Sequence, residues 1–317
     1  MADVFSIREA EAEDTPQILL VLRAALGESP LLRRTPDLFA WKHLDNPFGR
    51  SIVLVATRGS QVVGVRALMR WELVLPRGGT IKCVRPVDTA THPDFLRKGI
   101  FRALTLEALD AARDSGIQLV FNTPNRLSAA GYFSMGWKEV GWTGAIVRPR
   151  LGKAISVENG QPPSLAEAAP DAQPFRATNV VDRAPLGLRT PRTPEYLSWR
   201  FSQHPTAQYG WFGDPSGGGL IVRASQRNGR AETVIADLLG GAGASVVRQL
   251  ARSSRARYLA TWFARHTPER RAALRAGMIP VPTLKTLRLV VLPLTDLDID
   301  VLDIGSWDFA LSDLELL

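Results

Sequence analysis

A chain of 317 residues is too long for one average domain and suits two of roughly 150 residues each. Hydrophobic residues make up 45% and charged residues 22%, which is enough apolar material for two cores and excludes disorder as the prevailing state. The net charge of +8 is scattered over pairs such as Arg33–Arg34, Arg97–Lys98 and Arg270–Arg271, with no basic run to wrap nucleic acid, and the single cysteine, Cys83, excludes an intrachain disulfide.

Taken from the N-terminus, residues 1–9 lack a basic n-region and an apolar h-region, so no signal peptide is expected. Val4–Ile7 reads as a strand, and Asp14-Thr15-Pro16 starts a helix through Ile18, Leu19, Leu22 and Ala25. Ser51–Thr57, Gln61–Leu68 and Glu72–Leu75 read as an antiparallel meander, and Lys82–Thr91 as a fourth strand. A helix is predicted at Ile100–Ser115, with Leu104, Ala108, Ala111 and Ala112 on its apolar face and Gly116 closing it. Ile117–Asn122 has the composition of a buried strand, Ser128–Met135 of a short helix, and Trp137–Arg148 of a last strand region. Mixed α/β structure follows.

Residues 151–185 are rich in Pro, Ala, Glu and Gln and read as a linker. Beyond them Thr193-Pro-Glu-Tyr-Leu-Ser-Trp-Arg-Phe-Ser-Gln-His-Pro205 repeats the pattern of Thr35-Pro-Asp-Leu-Phe-Ala-Trp-Lys-His-Leu-Asp-Asn-Pro47 in register and without gaps. Strands at Leu220–Ala224 and Thr233–Leu238 and a helix at Ser245–Ser253 follow in the order of the first half. Duplication explains both. No apolar stretch approaches the ~20 residues that span a bilayer, so a cytoplasmic protein without a membrane partner is expected. Four histidines without ligand-like spacing argue against a metal site.

The most informative segment is Val87–Leu104. A strand ends near His92-Pro93, a loop carries Arg97-Lys98-Gly99, and a helix begins at once. Its first-turn N–H groups lack partners and its dipole adds positive charge, which suits an anion. Gly99 removes a Cβ where backbone meets ligand, and Arg97, Lys98 and Arg102 add formal charge, so a diphosphate fits; the plain alternative is an ordinary basic loop in solvent.

Two motifs in this order resemble those of the GNAT N-acetyltransferases. Leu96-Arg97-Lys98-Gly99-Ile100-Phe101 is similar to the family's Q/R-x-x-G-x-G/A loop, with Leu96 and Phe101 departing from it. Asn125-Arg-Leu-Ser-Ala-Ala-Gly-Tyr132-Phe-Ser-Met-Gly136-Trp137 resembles N-x-x-A-x-x-x-Y-x-x-x-G-F, with Ser128 and Trp137 substituted. The likeness covers residues 4–148 well and 193–285 in outline, and the short Trp41–Phe48 segment resembles tandem aminoglycoside acetyltransferases of the enhanced-intracellular-survival type.

The resemblance implies an α+β fold of tandem modules, each a mixed, mostly antiparallel sheet flanked by helices, with a catalytic module at 1–150, the linker at 151–185 and a degenerate copy at 186–317. It implies acetyl-CoA as co-substrate, held by Thr89, Ala90 and Thr91 of the fourth strand, by Arg97, Lys98, Gly99, Ile100, Phe101 and Arg102, and by Asn125 and Ser128. Asn125 could equally cap the short helix. Tyr132 would protonate the departing thiolate, and a strand N–H near Thr89–Thr91 would meet the oxyanion. Asp88 is the preferred general base over His92 and Glu72, against a plain strand-end role, while Trp41 and Phe48 either wall the acceptor pocket or fill core. Cys83 reads as a small core residue.

In the second copy Ala273 stands where Tyr132 would be, and Gly240–Ser245 replaces the basic loop without Lys or Arg. The expected activity is acetyl transfer to a primary amine of a small molecule or sugar in a ternary complex. The rivals are a non-catalytic acyl-CoA sensor or scaffold and a transferase with another acyl or aminoacyl donor.

Overall fold

The computed structural model describes residues 5–29, 32–158, 160–176, 182–214, 217–281 and 287–314. The first half of the chain forms β1 (Ser6–Glu9), α1 (Thr15–Leu26), α2 (Pro36–His43), β2 (Ile52–Arg58), β3 (Gln61–Val74), β4 (Thr80–Thr91), α3 (Ile100–Asp114), β5 (Leu119–Asn122), α4 (Ala129–Ser134) and β6 (Lys138–Trp142). It continues through β7 (Ala145–Pro149), α5 (Leu165–Ala168), β8 (Gln173–Pro174), α6 (Pro194–Leu197), β9 (Gly210–Gly213), β10 (Gly219–Arg227), β11 (Arg230–Leu239) and α7 (Ala244–Ser253). The last elements are β12 (Tyr258–Thr261), α8 (Pro268–Arg275), β13 (Ile279–Val281), β14 (Arg288–Pro293) and α9 (Leu311–Leu314). The two stretches expected at Gln61–Leu68 and Glu72–Leu75 are one strand, β3.

Two seven-stranded, mostly antiparallel sheets result, the α+β architecture expected. Their orders are β1-β2-β3-β4-β5-β14-β6 and β8-β9-β10-β11-β12-β7-β13. Each contains a parallel pair at the equivalent place, β4 with β5 and β11 with β12.

The chain divides into two compact units, but not at residue 150. The first comprises Met1–Leu73, Thr80–Glu139 and Leu289–Leu302, and the second Val74–Gly79, Val140–Arg288 and Asp303–Leu317. Each sheet is completed by a strand from the other half of the sequence. β14 pairs with β5 through Val290–Asn122, Val291–Phe121 and Leu292–Val120. β7, expected to finish the first module, instead pairs with β12 and β13 in the second sheet. The stretch read as a linker is also part of the second unit: Ala168, Ala169 and Phe175 are buried there, and β8 forms its sheet edge.

In the first unit the sheet buries both faces. Ile52, Leu54 and Ala56 of β2 pack with Ile100, Leu104 and Ala108 of α3, while Val55, Val62 and Val65 pack with Ile18, Leu22 and Phe39. Gly64 is required at the α3 crossing, since a Cβ there would lie 2.7 Å from Ile100 Cγ2.

A buried ion pair recurs in both units and supports the internal repeat. Thr35 and Thr193 cap α2 and α6 alike, each accepting a backbone N–H at 3.2 Å. The arginine before each threonine reaches an aspartate near the end of the strand that begins the parallel pair. Arg34 Nη1 lies 3.0 Å from Asp88 Oδ1, and Arg192 Nε lies 2.8 Å from Asp237 Oδ2. Trp41 and Trp199, at matching positions after the caps, are both buried.

Two predictions follow from these contacts. A fragment ending near Arg150 lacks β14 and leaves the β5 edge and Val290's core site unfilled, so it should be insoluble or inactive; a soluble 1–150 fragment with full turnover would contradict this. Asp88→Asn leaves Arg34 and Lys42 without a counter-charge and should cost about 3–5 kcal/mol, read as a lowered urea midpoint. Because Asp88's folded pKa is depressed, its contribution is present above the ordinary carboxylate range and is lost as pH falls through and below about 4.

Candidate active site

The parallel pair β4–β5 joins only Cys83–Val84 to Leu119–Val120. Beyond it β4 runs on to Thr91, while β5 turns its other edge to β14 and ends at Asn122. The strands part, and the β4 edge at Ala90–Thr91 faces a wedge that an extended amide chain can enter as an added strand.

The α3 N-terminus follows β4 closely. Arg97 and Gly99 both adopt left-handed backbone (φ 63° and 78°), and Gly99 is the N-cap. Such alternation turns consecutive N–H groups to one side, the form of an anion-binding concavity. Nothing lies within 4 Å of a Cβ built on Gly99, so the space beside the helix start is open. Arg97 and Arg102 are exposed, and Lys98 Nζ sits 5.0 Å from the Phe95 ring centroid. Ile100 points into the core. Phe101, which replaces the small residue of the family pattern, lays its ring 5.6 Å from that of Tyr132. A Cβ on Gly131 would lie 2.9 Å from Phe101 Cε1, so glycine there accommodates the ring.

Tyr132, on α4, is almost fully buried, with its ring against Phe101 and Trp137 (5.1 Å between centroids). Its hydroxyl accepts a hydrogen bond of 2.8 Å from Arg66 Nη1, which also donates to Thr89 Oγ1 at 3.1 Å. With its oxygen engaged as acceptor, Tyr132 keeps its own O–H to donate. Arg66 is wholly buried, and its Nε and Nη2 have no hydrogen-bond partner. Those two atoms form the side-on edge of the guanidinium, the edge suited to an oxygen ligand. Sequence reasoning missed Arg66. The signal was a lone charge within the apolar run Val62–Leu68.

Asp88 does not suit a general base. Its carboxylate is buried and, besides Arg34, receives Lys42 Nζ at 3.0 Å and His43 Nε2 at 3.1 Å. Burial alone would raise its pKa, but Lys42, His43 and Arg34 together hold it far below the carboxylate range. A carboxylate so stabilised is a poor proton acceptor. Burial lowers the His43 pKa, and its Nδ1 is hydrogen-bonded to the Ser51 hydroxyl at 2.9 Å. The group anchors α2 to β4.

The other sequence candidates divide clearly. Asn125 is a cap: its Oδ1 accepts from the backbone N–H of Leu127 and Ser128, both at 2.9 Å, and from Ser128 Oγ at 3.1 Å. Trp41 is 3% exposed and fills core, whereas half-buried Phe48 rests on Trp71 with 5.3 Å between ring centroids. His92 caps the turn at Asp94, and Cys83 is buried with its thiol pKa pushed up, mainly by burial.

The second unit carries the same frame with different contents. Met278 N bonds Ala273 O as Trp137 N bonds Tyr132 O, which puts Ala273 in the tyrosine's place. The Gly240 and Gly218 backbones pack so closely that a Cβ on Gly240 would lie 2.8 Å from Gly218 Cα, which accounts for glycine there without a ligand. The space beside β11 is crossed by the chain's own final segment. Ala310 bridges to Phe263 after β12, Ser312 Oγ donates to Asp237 Oδ2 at 2.9 Å, and Asp313 accepts both Arg192 Nη1 and Nη2 (2.7 and 2.8 Å).

Among the described residues no helix is long and apolar enough to cross a membrane, and no group of three or more His, Cys, Asp or Glu could hold a metal ion. No curated protein matches the sequence. Among solved structures, a GCN5-related N-acetyltransferase from Kribbella flavida matches at 12% identity over 92% of this chain and 72% of its own, with a TM-score of 0.59. One from Anabaena variabilis matches at 14% identity over 92% and 73%, also with a TM-score of 0.59. Eis1 from Mycobacterium abscessus matches at 17% identity over 81% of this chain and 65% of its own, with a TM-score of 0.50. These likenesses establish a shared fold. A family model described as an acetyltransferase (GNAT) domain matches residues 6–140, which hold the β4–β5 wedge, the α3 helix start and Tyr132. Residues 6–140 are therefore matched to a GNAT acetyltransferase domain.

Proposed function

We propose that the first unit transfers an acetyl group from acetyl-CoA to a primary amine of a small molecule or sugar by direct attack in a ternary complex. The observation that carries this reading is the Arg66–Tyr132 hydrogen bond beside Thr89 on β4, in the unit that also holds the α3 helix start. Acetyl-CoA supplies an activated thioester. Its fit is supported by the open space at Gly99, the basic loop and the free β4 edge.

In this reading the N–H groups of residues 99–102 and the side chains of Arg97, Lys98 and Arg102 hold the diphosphate. The β4 edge near Thr89–Thr91 pairs with the pantetheine amides and offers an N–H to the carbonyl oxygen as it becomes an oxyanion. Arg66 holds Tyr132 in place, and Tyr132 donates its proton to the departing thiolate sulfur. The proton released by the amine is assigned to solvent water, because Asp88 is committed to its cations. The second unit, with Ala273 for the acid and its cleft crossed by residues 309–313, has a structural part. Phe48 remains the candidate of the two aromatic residues for a contact with the acceptor, and the resemblance of the Trp41–Phe48 segment to tandem aminoglycoside acetyltransferases makes amino sugars the first class to assay.

Thiol release measured over an amine panel tests the proposal. Tyr132→Phe should lower kcat by roughly 10²–10⁴-fold and leave acetyl-CoA affinity nearly intact; an unchanged kcat with chemistry rate-limiting would remove Tyr132 from the mechanism. Arg66→Lys keeps the charge but loses the planar fork, so kcat should drop at least about tenfold while KM for acetyl-CoA moves little. If KM alone rose, Arg66 would belong to cofactor binding and not to the positioning of Tyr132.

A further inference from the structure

The second unit contains a cavity of about 300 Å³ that the acyl-transfer reading does not use. It opens where the end of β6, the start of β7, the end of β13 and the segment after β12 meet. Its lining combines two indoles, Trp142 and Trp262, with two guanidiniums, Arg265 and Arg270, and among the described residues contains no carboxylate. Ile304 and Val281 add aliphatic wall.

The charges are the unusual part. Two arginines of this unit are matched by carboxylates: Arg183 is forked to Glu269 and Asp308, and Arg192 to Asp237 and Asp313. Arg265, by contrast, has no ion pair among the described residues, and Arg270 makes one long hydrogen bond, 3.4 Å, to the Phe263 carbonyl. Glu269, next to Arg270 in sequence, is already taken by Arg183 through both oxygens (2.7 and 2.9 Å). Arg265 and Arg270 both line the same cavity, and burial, then the charge of Arg265, lowers the Arg270 pKa. An anion between half-buried Arg270 and exposed Arg265 would relieve that repulsion.

The walls restrict what that anion can be. Two indoles and two aliphatic side chains suit a flat apolar body, and a planar guanidinium fork suits a planar carboxylate. We propose that this cavity is a second ligand site, for a small carboxylate with a flat aromatic body, with Arg265 and Arg270 on the carboxylate and Trp142 and Trp262 on the ring. It takes no part in the acyl-transfer step.

The test uses the full chain and 2-naphthoate, with neutral 2-naphthamide as its charge-free counterpart, by calorimetric titration. Naphthoate should bind at least tenfold more tightly than the amide, and saturating CoA should not displace it. Arg265→Gln with Arg270→Gln should weaken naphthoate at least tenfold while leaving naphthamide within about twofold. Gly144→Trp is the control that keeps both arginines. Gly144 lines the cavity, a Cβ there meets only the Val281 carbonyl at 3.8 Å, and an indole in the space should abolish binding of both probes. Equal binding of acid and amide, displacement of naphthoate by CoA, or full affinity in either variant would overturn the proposal.

Discussion

The arrangement of the site depends on one departure from regular pairing: β4 and β5 run parallel through Val84 and Val120 and then separate. A sheet whose strands stayed paired would have no free β4 edge and no room for a ligand beside it. Because they part, the N-terminus of α3 and the side chains of Thr89, Arg66 and Tyr132 belong to one compact unit around the opening. β14 lets β5 leave β4 without exposing an edge, since it pairs with β5 through Asn122. The catalytic reading thus leans on a strand more than a hundred residues away in sequence.

The second unit carries the same frame with different contents. Its parallel pair β11–β12 persists, and so does the arginine–aspartate anchor, but residues 309–313 lie across the opening and supply hydrogen bonds there themselves. Ala273 and the glycine-packed loop at 240 agree with that change of role. The buried anchors are worth keeping in both units because removing either partner would strand a charge in the core.

Much of this was legible in the sequence. The alternation of strands and helices, the Gly99 helix start, the tyrosine motif and the Thr-Pro-acid repeat are local patterns, and local patterns survive into the fold. The misreadings have long-range causes. Val63 bulges out of the β2–β3 register, so that Val62 and Val65 pack on one face and Arg66 falls on the other with Leu68, toward Tyr132. Simple period-two counting from Val62 puts Arg66 on the wrong face. The exchange of β7 and β14 leaves no compositional trace, because either strand would fit either sheet by hydrophobicity alone. Residues 151–185 look like a linker for their proline and alanine, yet small residues such as Ala168 and Ala169 are what close packing against β10 and β11 demands. Asp88 misled for a different reason: an acid at a strand end looks available until Arg34, Lys42 and His43 arrive from another element.

The central claim is that acetyl-CoA occupies the opening of the first unit and leaves the second alone. Amide hydrogen exchange on the full chain, with and without acetyl-CoA, tests this most directly. The account predicts slowed exchange at residues 89–91 and 97–102, with residues 240–245 unchanged. Protection at 240–245 without protection at 97–102 would place the cofactor in the wrong unit and contradict the account.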